Sequence, residues 1–549
     1  MPESRSSAPS PAVTRLALRI IVIVYIVLGA MYAVGTPPWQ VPDEPAHYNY
    51  VRHVATYGTL PELRPGDYPA AYLEEIKARR FSPELSIDAI RYESHQPPLY
   101  YVVAAMVHRL AVAWALPELI TLRAFSVFLG AMALLITHRL VEALGSQSGG
   151  IDPVLPLGTV AFAAVLPMHV AMRAAVNNDT LSGLLVTMIA WRLIAMSSAD
   201  WTPRRAVGIG ALLGLALLTK MQSYVAFALV ATALVWDLGY TRGWRPAGGW
   251  RRAIGLAAIA FGTALLMALS WLLRNADLYG ATDLLGLARH DQVVEGQLTT
   301  SAYIAEHGWA ALGTAFLRTT FQSFWGVFGW MGVPMQPRVY QALGGLSLLA
   351  AYGVALFAWR AWWQGAGRAS PATSPRPQAG AISPPSAAPC PSSATDASPS
   401  VRAVGLVRRP ASHQIRGLVL LAMWLGGTLA GYLWWNVSYL QHQGRYLFPA
   451  IVPLGLLATV GLREVYRRPP RGLYIVLAVG ALALLVDGII GGDVAWFGIA
   501  LLATASGGLW AAPRLEARWP GSAIALTYAA LAALTLYALP AYIIPYLSP

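Results

Sequence analysis

Residues 36–53 read TPPWQVPDEPAHYNYVRH, and residues 91–101 close the same polar interval with RYESHQPPLYY. The interval is the longest polar one in the first two thirds of the chain, and it stands directly behind residues 16–35, the first stretch long enough to cross a membrane. Asp43 and Glu44 lie between Pro42 and Pro45, which fix the backbone around them. An acidic pair just outside a bilayer, followed by an aromatic and proline corner, is a working surface, and the remaining apolar runs are organised around it.

Composition sets the class. Of the 549 residues 56% are apolar and only 12% charged, with a mean hydropathy of +0.50. A soluble chain carries roughly a quarter of its residues as charged ones, so most of this surface faces lipid. The formal charge of +13 does not point to nucleic acid. The arginines sit in short loops between apolar runs, the arrangement that retains positive charge on the cytoplasmic side, and anionic lipid headgroups are the partner it allows. The single cysteine, Cys390, excludes an intrachain disulfide and a cysteine-based metal site. No small-residue cleavage site follows a short apolar region at the N-terminus, so residues 16–35 read as a retained first span.

Further candidate helices are 97–117, 121–142, 154–174, 178–198, 206–219, 222–238, 252–273, 338–360, 416–436, 446–463, 472–489, 494–511 and 521–543. The basic loops agree on one side only if one segment before residue 178 fails to span. Segment 97–117 is that segment: it opens on Pro97 and Pro98 and carries His108 and Arg109, and an arginine buried in lipid costs several kcal/mol. It is expected as an amphipathic or re-entrant helix on the outer side, with Tyr100 and Tyr101 anchored at headgroup level. The expectation is an all-α polytopic membrane protein of about 13 spanning helices. Its parts are a cytoplasmic tail 1–14, a catalytic module 15–360 with outer loops 36–120 and 274–337, a linker 361–415 and C-terminal helices 416–549. The linker, rich in Pro, Ser and Ala, is too poor in apolar side chains to order and is expected to be cytoplasmic. HGWAALGTAFLRTTFQSFWGVFGW (307–330) suits one or two helices lying at the interface. The N-terminus is expected inside, the C-terminus outside, in the plasma membrane.

Adjacent acids point in different directions, so one of Asp43 and Glu44 faces a substrate while the other is held by a base or a metal; a solvated acidic turn is the competing reading. His47 follows within about one helical turn. Glu93 and His95 form the second corner, His95 being either a metal or phosphate ligand or a structural turn residue. Asp179 opens helix 178–198, where an ordinary N-cap is the plain explanation. With 97–117 removed from the count it returns to the face of Asp43, and the two carboxylates would then share a divalent cation or divide base and orienting roles. Lys220, Arg274 with Asn275, and Arg445 are cations at outer helix ends. Each alone is explained by snorkelling, but three against the loop-charge trend favour a lipid-linked phosphate. Arg445 follows Gly444, which would leave room for a ligand near the backbone.

In order and spacing, VPDEPAHYNYVRH, HQPPLYY, RAFSVFLG at Arg123, VNNDTLS, GLALLTK ending at Lys220, WLLRNADLYG and QGRYLFPAIVP resemble the GT-C superfamily of integral membrane glycosyltransferases. That group contains protein O-mannosyltransferases, aminoarabinose transferases and oligosaccharyltransferase catalytic subunits; the resemblance covers residues 15–280 well and the remainder loosely. It implies a polyprenyl-phosphate-linked sugar donor, transfer with inversion and catalysis on the extracytoplasmic face. Asp43 would be the base that deprotonates the acceptor, Asp179 the second acid, and the outer cations the hold on the donor phosphate. The chain ends at Pro549 with no extracytoplasmic domain of the kind some members use, so acceptor choice, whether glycan, lipid or protein, is expected from the loops. Metal dependence varies in the group; Mg or Mn would be held by Asp43, Asp179 and His95. The alternatives are a polymerase or ligase of lipid-linked glycans and a secondary transporter, the latter expected to show inverted repeats and ionisable residues at depth.

Overall fold

The structure, a computed structural model, describes residues 10–145, 150–197, 200–240, 249–366, 412–491 and 493–549. Most of the expected linker 361–415, with Cys390, lies outside the described residues, as do residues 1–9 of the tail and 241–248 of a basic loop. The described chain is a bundle of apolar helices. Helix α1 (Pro11–Gly35) starts under Ser10, whose Oγ accepts from the Val13 N–H at 3.4 Å, with Pro11 where a missing N–H costs nothing. The first long segment between apolar helices folds into α2 (Glu44–Tyr57), α3 (Ala70–Ala78) and α4 (Leu99–Ala113). Then follow α5 (Glu118–Gly145), α6 (Val154–Val165), α7 (Pro167–Arg173), α8 (Asp179–Ala195), α9 (Pro203–Leu217), α10 (Val225–Leu234) and α11 (Gly249–Tyr279). The second long segment contains α12 (Leu287–Val293), α13 (Thr300–Trp325), kinked at Gly308, and a hairpin of two-residue strands, β1 (Val327–Phe328) and β2 (Val333–Pro334). The C-terminal part is α14 (Pro337–Ala366), α15 (Ser412–Ser438), α16 (Ile451–Arg467), α17 (Arg471–Gly491), α18 (Trp496–Arg518), α19 (Ser522–Ala538) and α20 (Ile544–Leu547).

Among the described residues ten helices are long and apolar enough to cross a membrane, or 11 if the pair α6 and α7 is one span. The expected count of about 13 differs for two physical reasons. Pro167 lacks the N–H that would continue α6, and the chain bends by 69° there. Helices α8 and α9 reach only 17 and 15 residues. Segment 97–117 gives a 15-residue α4, about 22 Å at ~1.5 Å per residue and short of a hydrocarbon core of ~30 Å. It lies along α2: the Tyr50 and Tyr101 rings stack with centroids 3.7 Å apart, and Arg109 Nε donates to the Ala55 carbonyl at 2.8 Å. Tyr100 and Tyr101 are fully buried in this contact, so they are core residues and not the headgroup anchors expected.

The first of these segments has its own apolar core, built from Tyr48, Val51, Leu73, Ile76, Ile90 and Tyr101. Asn49 Nδ2 donates to the Ile87 and Ile90 carbonyls at 2.6 and 2.9 Å, which ties the return strand of the loop to α2. The loop is therefore a rigid cap on one end of the bundle. Helices α14 and α16 cross closely because Gly353 and Gly461 meet: a Cβ on Gly353 would sit 2.0 Å from the Gly461 carbonyl oxygen. At the end of the bundle away from the loop, ion pairs close the helices together. Asp237 accepts from Arg416 and from Trp201 Nε1, both at 2.7 Å, and Arg463 joins Asp152 at 3.1 Å and Glu516.

Candidate active site

A cleft lies between the loop cap and the bundle. Its chemistry comes from four separated parts of the chain. Asp43, His47 and Glu93 belong to the loop, Arg173 and Asp179 flank the α7–α8 turn, Lys220 follows α9, and Arg445 precedes α16. The chain breaks between α9 and residue 221, and this break presents Lys220 to the cavity.

Asp43 caps α2 in a left-handed conformation, φ 70°, which aspartate tolerates better than most residues. The turn sends the two adjacent carboxylates apart. Asp43 faces the cavity, keeping 29% side-chain exposure, and its Oδ2 accepts from Arg445 at 2.9 Å while Oδ1 accepts from the Tyr92 hydroxyl at 2.8 Å. Glu44 faces the other way. It is fully buried and holds Arg123 in a two-pronged contact, Nε to Oε1 at 2.8 Å and a second nitrogen to Oε2 at 2.6 Å. Arg123 also donates to the Ala33 and Thr36 carbonyls, and Glu44 Oε1 accepts the Val176 N–H at 3.1 Å. Glu44 is outside the cavity, so its place among the expected catalytic residues is corrected: it staples α1, α2, α5 and the loop before α8 behind Asp43.

Asp179 is the first residue of α8 and pairs with Lys220 at 2.7 Å, so its carboxylate does more than cap a helix. His47 Nδ1 shares a hydrogen bond of 2.8 Å with the Tyr101 hydroxyl. Glu93 lines the cavity, and its Oε2 is buried without a hydrogen-bond partner.

The electrostatics follow from this packing. Burial works to raise the Asp43 pKa, but Arg445, His47, the Tyr92 hydroxyl and Lys220 together outweigh it and hold the carboxyl below its usual range. Burial pushes Glu93 up, with the Asp43 charge adding and His47 and Lys220 opposing. Burial lowers the His47 pKa, with Glu93 and Asp43 opposing and Lys220 adding. At neutral pH Asp43 is thus an ionised carboxylate whose two oxygens are both engaged.

Two of the three expected outer cations reach the cavity. Arg274 does not: it donates to the Leu60 and Pro61 carbonyls at 3.2 and 2.7 Å, and Asn275 donates to the Leu284 carbonyl at 2.9 Å. Arg274 ties the end of α11 to the first loop and Asn275 ties it to the turn that follows, because loop carbonyls buried beside a helix end need donors. Gly444 also differs from expectation. A Cβ there would meet the Thr320 carbonyl oxygen at 2.2 Å, so α13 fills the space that was to admit a ligand.

A divalent cation on Asp43, Asp179 and His95 does not fit this donor set. Each aspartate already faces a cation, and His95 turns Nδ1 to the Tyr92 carbonyl at 3.1 Å and packs on the His290 ring, away from the cavity. Among the described residues no group of three His, Cys, Asp or Glu side chains is placed to hold a metal ion.

Tyr92 and Arg173 were missed in the sequence. Tyr92 carries no signal beyond its neighbour Glu93. Arg173 does: an arginine within the apolar run 154–174 must face protein or a ligand.

No protein-family model and no curated protein matches the sequence. Among solved structures the chain is similar to ArnT from Cupriavidus metallidurans bound to undecaprenyl phosphate, at 16% identity over 97% of this chain and 77% of that one, TM-score 0.49. It is similar to the Archaeoglobus fulgidus oligosaccharyltransferase tethered with an acceptor peptide, at 11% identity over 94% of this chain and 55% of that one, TM-score 0.44. Over 55% of its length it is similar to the S. cerevisiae protein O-mannosyltransferase complex bound to the sugar donor, at 14% identity, 39% coverage of that chain and TM-score 0.32.

Proposed function

We propose that the protein is an inverting membrane glycosyltransferase that moves a sugar from a polyprenyl-phosphate-linked donor to an acceptor hydroxyl. The observation that carries this reading is the meeting of Asp43 and Asp179, from separate segments, in one cavity with Lys220 and Arg445. A sugar phosphodiester needs little acid catalysis at its leaving group, since the departing phosphate is already anionic and cations stabilise it. The attacking hydroxyl needs one placed carboxylate.

Asp43 takes the acceptor proton as the acceptor oxygen bonds to the anomeric carbon. The bond from that carbon to the phosphate oxygen breaks on the opposite face, and polyprenyl phosphate departs toward Arg445 and Lys220. Before donor arrives, Arg445 holds Asp43 in a weakly basic state. An incoming phosphate competes for the same guanidinium and releases the carboxylate, so base strength rises only when donor is present. Asp179 keeps Lys220 placed. On this reading the transfer takes place at the extracytoplasmic face.

A transporter would need a route through the bundle. The buried ion pairs Asp237–Arg416 and Asp152–Arg463 close the end away from the loop, and the ionisable groups of the cavity gather at one end, which favours chemistry over passage. Purified protein in liposomes, given a polyprenyl-phosphate-linked sugar and an envelope extract, is expected to release free polyprenyl phosphate. Movement of the intact donor across the bilayer with no release would refute the reading.

A further inference from the structure

The left-handed turn at Asp43 is one of a cluster. Among the described residues seven other than glycine have a positive φ. Six of them, Trp39, Asp43, Arg80, Phe81, Trp330 and Met331, have φ between 50° and 70° and lie together at one corner of the loop cap. A Cβ is crowded in that conformation, and side chains as large as tryptophan and phenylalanine keep it only where their surroundings impose it.

The contacts show what imposes it. Gln40, only 3% exposed, donates through Nε2 to two carbonyls, that of Arg80 at 3.0 Å and that of Leu547 at 2.9 Å. An amide NH2 carries two hydrogens, so one side chain serves both acceptors. Trp330 Nε1 donates to the Trp39 carbonyl at 3.0 Å, and its ring stacks on Phe81 with centroids 5.9 Å apart. Arg80 donates to the Ser548 carbonyl at 3.0 Å, and a Cβ on Gly329 would sit 2.3 Å from the Leu547 side chain. Four parts of the chain, 39–43, 80–81, 329–331 and 547–548, thus meet where α2 begins. Gln40 and Trp330 do not line the cleft.

We propose that Gln40 and Trp330 are positioning residues for the transfer: they grip the backbone at 39–40 and so hold Asp43 in the turn that aims its carboxylate into the cleft. The proposal rests on the glycosyl-transfer reading. Between the grip and Asp43 lie only Val41, which is buried, and Pro42, whose ring fixes φ. On the other side Glu44 is locked on Arg123. Asp43 therefore stands between two fixed points, and its left-handed φ is the way the backbone joins them. With the grip released, Asp43 relaxes toward the common regions of backbone space, and its carboxylate leaves Arg445 and the Tyr92 hydroxyl.

The full chain in liposomes is assayed for release of polyprenyl phosphate at saturating polyprenyl-phosphate-linked sugar, and separately titrated with undecaprenyl phosphate. Gln40→Leu fills the same space without donors. Its turnover is expected to fall about 10- to 100-fold, the usual cost of a misplaced catalytic group, while undecaprenyl phosphate binds no more weakly than to wild type, because Arg445 is then free of Asp43. Trp330→Phe keeps a ring on Phe81 and removes only the N–H, so a smaller loss of turnover with the same unchanged binding is expected. The two losses should not add in the double variant, since both side chains hold the same stretch. Wild-type turnover in folded Gln40→Leu overturns the proposal and leaves the glycosyl-transfer reading standing. Lipid affinity that falls in step with turnover also overturns it, since the two residues would then support the cap as a whole. Fully additive losses refute a shared grip. A wild type that releases no polyprenyl phosphate overturns the reading and the inference with it. Should Gln40→Leu not fold, Trp330→Phe decides, and unchanged turnover there overturns the proposal.

Discussion

Asp43 and Glu44 are neighbours with opposite assignments, and substituting each by its amide separates chemistry from architecture. In Glu44→Gln one carboxylate oxygen becomes an NH2 group. Glu44 Oε1 accepts from Arg123 at 2.8 Å and from Val176 at 3.1 Å, and Oε2 accepts from Arg123 at 2.6 Å. The amide therefore loses one or two of three bonds, turns a donor toward a donor, and leaves the Arg123 charge without its anion. Breaking a buried pair in this way costs about 3–5 kcal/mol, so a large fall in the unfolding midpoint of the detergent-purified protein is expected. Asp43→Asn breaks a less enclosed pair, Asp43 keeping 29% side-chain exposure, so its fall in unfolding midpoint should be smaller than that of Glu44→Gln, but sugar transfer should fall by about 100- to 10,000-fold for want of a base. Replacing both Glu44 and Arg123 by leucine should recover much of the stability lost in Glu44→Gln, because no charge is left stranded. The reasoning is refuted if Glu44→Gln melts like wild type while losing transfer, or if Asp43→Asn turns over at a near wild-type rate.

Arg445→Ala should weaken donor affinity by about 10- to 100-fold in a titration with a polyprenyl-phosphate-linked sugar; unchanged affinity removes it from the phosphate site. Because the Asp43 pKa lies below the usual carboxylate range, the active ionised form persists as pH falls through about 4, and kcat/KM should drop only below that. The stability that Asp43 contributes has the same sign, present above its unfolded value and lost as pH falls through the lowered folded one. In Arg445→Gln burial is no longer opposed by the guanidinium, so the acid limb of the pH–rate profile should move up; an acid limb that overlays the wild-type one speaks against the pairing. Arg274→Ala should change donor affinity by about twofold or less while speeding proteolysis near residues 58–69, since its bonds go to loop carbonyls. A tenfold loss of donor affinity would return Arg274 to the phosphate site.

The helical membrane class was legible because lipid imposes a strong rule: long apolar runs with charges confined to their ends. So was the importance of 36–101, since proline-braced acids beside a first span have few structural uses. Asp43, Asp179, Lys220 and Arg445 were found at helix ends, where a one-dimensional pattern shows cations against the loop-charge trend. The direction each side chain takes was not legible. Asp43 and Glu44 differ by one left-handed turn, and that turn sends one carboxylate to the cavity and the other to Arg123. Arg274 and Arg445 look alike in sequence, yet the nearest unsatisfied groups are loop carbonyls for one and the carboxylate of Asp43 for the other. Arg173 sits between apolar neighbours, and only the break at Pro167 brings it to the cleft. Sequence fixes which residues lie at the membrane edge, because hydropathy acts locally. Which of them face one another depends on bends and crossings between segments far apart in the chain, and those only the tertiary structure decided.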